Sequence, residues 1–159
     1  MSKIIIQAAA GLALLAASAG AFAGATVTFV DIAKMSDVPR HIKDRESMEY
    51  IFREHINRLS EKLPAGQVLK VDFLDIDLAG DEFPRVAVRD IRVLKGTADW
   101  PRIHLRYSVE ENGQVIRSGE EKLADPNYQM HTNFYDREIY SYEKQMLDDW
   151  FKKSVLPAR

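Results

Sequence analysis

Residues 68–80 read VLKVDFLDIDLAG, the longest strand-like run in the chain and its most acid-studded one. Leu69, Val71 and Phe73 alternate with Lys70 and Asp72; then the phase slips, and Leu74, Ile76 and Leu78 become the apolar set against Asp75 and Asp77. Alternation of this kind belongs to a strand with one buried face. One extra residue near Phe73 and Leu74 reconciles the two halves, so the stretch predicts a central sheet strand with a β-bulge there and aspartates on its outward rungs.

Upstream, TVTFV at 26–30 is β-branched and aromatic and predicts a first strand, followed by a connection through Pro39. From Asp44 to Leu63 the residues Met48, Ile51, Phe52, His55, Ile56, Leu59 and Leu63 recur at spacings of three and four. That is an amphipathic helix of about five turns, stopped by Pro64 and Gly66. Strand, helix, strand in this order predicts a right-handed crossover with the first strand parallel to the central one.

Downstream, DEFPRVAV at 81–88 reads as a loop or irregular edge, and Ile91 to Leu94 as a short strand closed by Gly96. Ile103, Leu105, Tyr107 and Val109 then alternate with Arg102, His104, Arg106 and Ser108, and Asn112-Gly113 supplies the two positive φ angles of a tight turn. Residues 102–123 therefore predict a β-hairpin. Pairing outward from the turn sets Val109 opposite Ile116 and Tyr107 opposite Ser118, which would bury Glu120 and Lys122. A bulge at Ser118 and Gly119 removes the conflict, returns Leu123 to the core beside Ile103, and brings Glu120 across from Arg106 as a charge pair.

Residues 124–138, ADPNYQMHTNFYDRE, have no period and form a loop longer than most in compact domains. From Ile139 the residues Tyr142, Met146, Leu147, Trp150 and Phe151 return to helical spacing, with Asp148 and Asp149 on the opposite side. No repeat or linker divides the chain. The expected architecture is α+β and two-layer, a mostly antiparallel sheet of about five strands with two long helices packed on one face.

The N-terminus opens with Lys3, an apolar run from Ile4 to Ala17, and Ala21-Phe22-Ala23 before Gly24, the order of charge, apolar core and small-residue site found in secretory signals. Cleavage after Ala23 is expected, leaving residues 24–159 as one domain with no membrane insertion, and a periplasmic location. Removal of the signal takes one of the 22 basic residues and none of the 24 acids, so the formal charge moves from −2 to −3. Such a balance gives no reason to expect nucleic acid as a partner. There is no cysteine, which excludes disulfides, thiolate metal sites and cysteine nucleophiles.

Several chemistries can be weighed residue by residue. Paired carboxylates can bind a cation or catalyse hydrolysis, and Asp72, Asp75, Asp77 and Asp81 cluster, with Asp90, Asp99 and Glu110 also available. A calcium loop starting at Asp75 fails, because Ala79 and Val86 stand where oxygen ligands belong. Solvated outer rungs are the simpler account of these acids. His41, His55, His104 and His131 are scattered, with no H-E-x-x-H, so no metal is expected. His55 falls on the edge of a buried helix stripe and His104 on the polar face of the hairpin. No G-x-S-x-G elbow and no glycine-rich phosphate fingerprint occurs, and no cofactor is expected. Trp100 begins the hairpin beside Arg102, while Tyr128, Phe134, Tyr135 and Tyr140 crowd the long loop. Such aromatics either cover a small core or mark a contact site.

The blocks AGQVLKVDFLDIDLAG (65–80), DIRVLKGTADWPRIHLRYSV (90–109), RSGEEKLADPNY (117–128) and YEKQMLDDWF (142–151) together resemble an uncharacterised family of exported proteobacterial proteins, domain of unknown function family 3016. The resemblance implies a Gram-negative envelope location and one α+β domain, and it brings no activity or catalytic residues. The expected function is a non-catalytic binding or accessory protein of the envelope whose partner is an envelope protein or cell-wall component. Candidate binding residues are Asp75, Asp77, Asp99, Trp100, Arg102, Tyr128 and Tyr135. The alternative is a hydrolase of envelope glycan or peptide using Asp75, Asp77 or Asp99; a homo-oligomer built on an exposed hairpin edge is a third class, and the sequence does not set the oligomeric state.

Overall fold

The computed structural model describes residues 24–83, 91–96 and 98–156; the expected signal at 1–23, Asp90 and residues 84–88 of the expected edge segment lie outside them. Strand β2 (Gln67–Asp77) has the expected interruption, its pairing register slipping between Phe73 and Asp75. Leu69, Val71 and Phe73 before the slip and Ile76 and Leu78 after it are buried, so the bulge keeps one apolar face through the phase change.

Strand β1 (Gly24–Phe29) lies parallel to β2, with Val27 beside Val71, and the 19-residue helix α1 (Ile42–Ser60) connects them. On the other side of β2, β5 (Arg102–Glu111) runs antiparallel and turns through Asn112 and Gly113, both at positive φ, into β6 (Gln114–Ala124). The order of the main sheet is β1-β2-β5-β6. It has four strands rather than five. Two short strands, β3 (Asp81–Phe83) and β4 (Ile91–Val93), pair as a separate antiparallel ribbon, so part of the segment expected as loop or irregular edge is a strand.

The hairpin's bulge is real but lies closer to the turn than expected. Glu110 pairs with Val115 and Val109 with Arg117, leaving Ile116 as the extra residue. Beyond it Arg106 faces Glu120 and Ile103 faces Leu123, as the sequence predicts, while Tyr107 faces Gly119 rather than Ser118. A Cβ on Gly119 would stand 2.8 Å from the Tyr107 ring, so this glycine makes room for a side chain instead of forming a bulge. Arg106 and Glu120 also bind elsewhere: Arg106 donates to Asp72 at 2.8 Å, and Glu120 meets His104 at 2.8 Å.

Helix α2 (Ser141–Trp150) has ten residues and continues as a π-helical turn, Phe151–Val155, in which the Leu156 N–H donates to Phe151 O at 2.9 Å. Two long helices were expected, and the second is short. Rings run from strand to helix: Phe29 stacks on Phe73 at 5.0 Å, Phe52 of α1 meets Phe73 at 5.9 Å, and Tyr140 meets Phe52 at 5.4 Å. Trp150 of α2 packs edge-on against Tyr107 at 5.4 Å. Each buried aromatic contributes roughly 1.5–3 kcal/mol by leaving water, so this chain of rings holds α1 and the entry to α2 against the sheet.

Asp148 stands on the buried side of α2, not on the outer side with Asp149. Its partner is His55 of α1, which is also buried; His55 Nε2 lies 2.9 Å from Asp148 Oδ1 and 3.2 Å from Lys144 O, while Arg58 Nη2 is 3.1 Å from Nδ1. Two acceptors at Nε2 and a donor at Nδ1 assign the Nε2–H tautomer.

Candidate functional site

The acid-studded strand is answered from the strand beside it. Asp72 and Asp77 of β2 pair in register with Arg106 and Arg102 of β5, and both pairs close as ion pairs at 2.8 Å. Burial, ahead of the opposing pull of Arg102, raises the Asp77 carboxyl above the usual aspartate range, helped by Asp37 and Asp75. Asp75 instead holds the connection before α1: its two oxygens accept the Ser36 N–H and hydroxyl, both at 2.7 Å.

Asp99 organises the turn before β5. Its carboxylate accepts the N–H groups of Lys95 and Gly96 and the Tyr128 hydroxyl, the last at 2.9 Å. Burial pushes this carboxyl up, but those donors outweigh it and hold it below the ordinary range. Tyr128 is 0 % exposed, and burial, then its bond to Asp99, pushes its hydroxyl up to about 12. Trp100 is half-buried beneath the Arg102 guanidinium, 4.8 Å from its ring centre. Five of the seven predicted residues thus join two contacts at one end of β5, Asp77–Arg102–Trp100 and Asp99–Tyr128. Tyr135 sits apart, its hydroxyl donating to Asp148 at 3.1 Å and its ring edge-on to His55. The groups singled out in the sequence are therefore largely engaged with one another.

A cleft of about 520 Å³ opens elsewhere, between the first turns of α1, the β3–β4 ribbon and the start of α2. Ile51, Leu94, Ile139 and Tyr140 line it together with Glu82, Arg92 and Glu143. None of the seven predicted residues lies in it. Tyr140 turns the chain into α2 at φ 58°, a left-handed conformation that Asp31 and Asn112 tolerate through their short polar side chains but a tyrosine adopts at a cost of about 1–2 kcal/mol. Strain of this kind concentrates at functional sites.

The floor of the cleft is polar and partly buried. Arg92 Nη1 donates to Asp37 Oδ2 and to Gly80 O, both at 2.6 Å, tying β4 to the turn after β2. Glu143, 2 % exposed, accepts the Ala79 N–H at 2.7 Å. Burial drives the Glu143 carboxyl above the usual glutamate range, and the Ala79 N–H and Arg92 only partly offset this. Glu82 pairs in register with Arg92 across the ribbon, yet its Oε2 is shielded from solvent and has no hydrogen-bond partner among the described residues.

The sequence analysis singled out none of these charged residues, although Glu143 left a signal in it. Glu143 occupies the helix face of Met146, Leu147 and Trp150, and a carboxylate on an apolar stripe signals a buried acid. Glu82 and Arg92 carry no such mark, because only the register of the ribbon brings them together. Of the aromatics expected to mark a contact site, Phe134 is 75 % exposed while Tyr128 is buried, and Met130 and, just past the loop, Ile139 are 84 % and 64 % exposed. Among the described residues no three His, Asp or Glu side chains converge as metal ligands, and no helix is long and apolar enough to cross a membrane.

No curated protein and no solved structure matches the chain. One family model does match, over residues 23–153, which takes in every element from β1 through α2. By that match the chain belongs to the family described as Protein of unknown function (DUF3016).

Proposed function

We propose that this protein is a non-catalytic binding module of the bacterial cell envelope, exported through a cleaved signal, and that it engages its ligand in the cleft between α1, the β3–β4 ribbon and α2. The observation that carries this is the composition of the cleft, an apolar wall above a floor of charged groups, including one carboxylate oxygen without a partner among the described residues. Export is supported by the charge, apolar run and small-residue order of residues 1–23. The exposed Ile139 on the rim, continuous with a loop that also exposes Met130 and Phe134, gives a partner apolar surface to meet.

Hydrolysis by the strand aspartates has less support. Asp75, Asp77 and Asp99 are each bonded to donors of the fold, and none of them lines the cleft. Glu143 is buried, and its carboxylate is engaged by the Ala79 N–H.

Native mass spectrometry of the protein purified from its own envelope tests the cleft. Wild type is expected to carry a non-covalent adduct that Ser47→Trp lacks, because Ser47 is exposed on α1 and lines the cleft, so the indole fills it without entering the core. Equal adducts on the two proteins would place binding elsewhere.

A further inference from the structure

Asp44 and Glu82 line the cleft with Lys43 and Arg92, and Glu143 is buried in its floor. Arg92, however, is committed: its Nη1 is bound by Asp37 and by the carbonyl of Gly80, and Asp37 is itself an ion-pair partner at 2.6 Å. Glu82, the residue paired with Arg92 across the ribbon, acts on that guanidinium as a nearby charge without a hydrogen bond to its Oε2. Glu82 Oε2 is left shielded from water without a donor among the described residues, an arrangement that costs about 1–3 kcal/mol until a donor arrives. The same cleft is lined by Ile51, Leu94 and Tyr140, which are suited to methylene groups rather than to a hydrated ion.

We propose that the cleft takes a primary ammonium group carried on an apolar chain, with Glu82 as its acceptor and Ile51, Leu94 and Tyr140 flanking the chain. An ammonium supplies the donor that Glu82 Oε2 lacks among the described residues together with a charge opposite to the carboxylate's, and its three N–H bonds can be shared with neighbouring oxygens. A carboxylate ligand would meet Glu82 and Asp44 as like charges, and a neutral alcohol would supply a donor without the charge. The ammonium can come from a free amine or from a lysine side chain of a partner protein. This assignment rests on the cleft being the binding site.

Isothermal titration of the protein with n-hexylammonium, hexanoate, 1-hexanol and the peptide acetyl-Gly-Lys-Gly-amide decides it. Hexylammonium or the lysine peptide is expected to bind at least tenfold more tightly than hexanoate or hexanol, and whichever of the two binds better identifies the source. Glu82→Gln, which keeps the shape and removes the charge, is expected to weaken that binding at least tenfold while its thermal unfolding stays at or above that of wild type. Hexanoate binding as well as hexylammonium, unchanged binding in Glu82→Gln, or no binding of either amine would overturn the ammonium assignment. The cleft itself stands or falls separately, on the adduct that Ser47→Trp removes.

Discussion

Glu143 and Asp148 lie on the same short helix, both out of solvent, and their carboxyls are driven in opposite directions. Burial raises Glu143, whose partner is an uncharged N–H. Burial also pushes Asp148 upward, but His55 and the Tyr135 hydroxyl overcome it and hold it below the ordinary range. A raised folded-state value means that the native protein holds a proton the unfolded chain has released, so stability falls as pH climbs from the ordinary glutamate range through the raised value. The depressed value of Asp148 has the reverse sign: its contribution is present above the ordinary aspartate range and is lost as pH falls through the lower one. Urea unfolding across pH should therefore find Glu143→Gln more stable than wild type at neutral pH, with the gain vanishing in acid, whereas Asp148→Asn should be less stable at neutral pH and converge on wild type in acid. Glu143→Ala differs from Glu143→Gln because it leaves the Ala79 N–H buried and unpaired, and should cost about 1–3 kcal/mol.

Gly80 matters for a different reason. At φ 79° it stands where a Cβ would lie 2.6 Å from the Val93 carbonyl oxygen, a backbone atom that cannot move aside alone. Gly80→Ala should destabilise the protein by about 2 kcal/mol or more, from the left-handed conformation and the displaced ribbon together. Isothermal titration of Gly80→Ala with hexylammonium would show whether the carbonyl that Arg92 binds stays in place, because loss of that bond should loosen the cleft and lower amine affinity.

At the scale of elements, the β2–β5 pair explains the acids that dominate the sequence. Each of Asp72 and Asp77 stands directly opposite an arginine, an arrangement that sets register more than it adds energy. The Arg106–Asp72 pair is exposed and screened by solvent, so Arg106→Ala should leave the urea midpoint of unfolding close to that of wild type. Strand β2, its bulge and the hairpin turn were legible because alternation and the Asn112-Gly113 pair are local signals. The position of the hairpin bulge was not. Tyr107 and Gly119 could be matched only by knowing that Trp150 packs on that tyrosine from another element, which no local spacing records. The burial of Asp148 was hidden in the same way, since its partner His55 is contributed by α1, far away in the chain. The β3–β4 ribbon has three residues per strand, too few to show a period.

At the scale of the molecule, the main sheet and the ribbon divide the work. The sheet buries the core; the ribbon, clamped by Arg92 to Asp37 and Gly80, stands beside the two helices and leaves a cleft between them. Sequence reasoning placed function at the acids of β2 and at the aromatic loop because those residue types are conspicuous. In the fold the acids are paired and Tyr128 is core, while the cleft draws on residues from three segments that only the tertiary structure assembles. Incorporation of a photo-crosslinking amino acid at Ile139 on the cleft rim, with Val115 on the distant hairpin edge as control, tests the binding cleft most directly. Irradiation in living cells should yield a recurrent adduct from position 139, none from position 115, and loss of the adduct when Ser47→Trp fills the cleft. The same adduct from both positions, or one that persists in Ser47→Trp, would contradict the cleft as the site of binding.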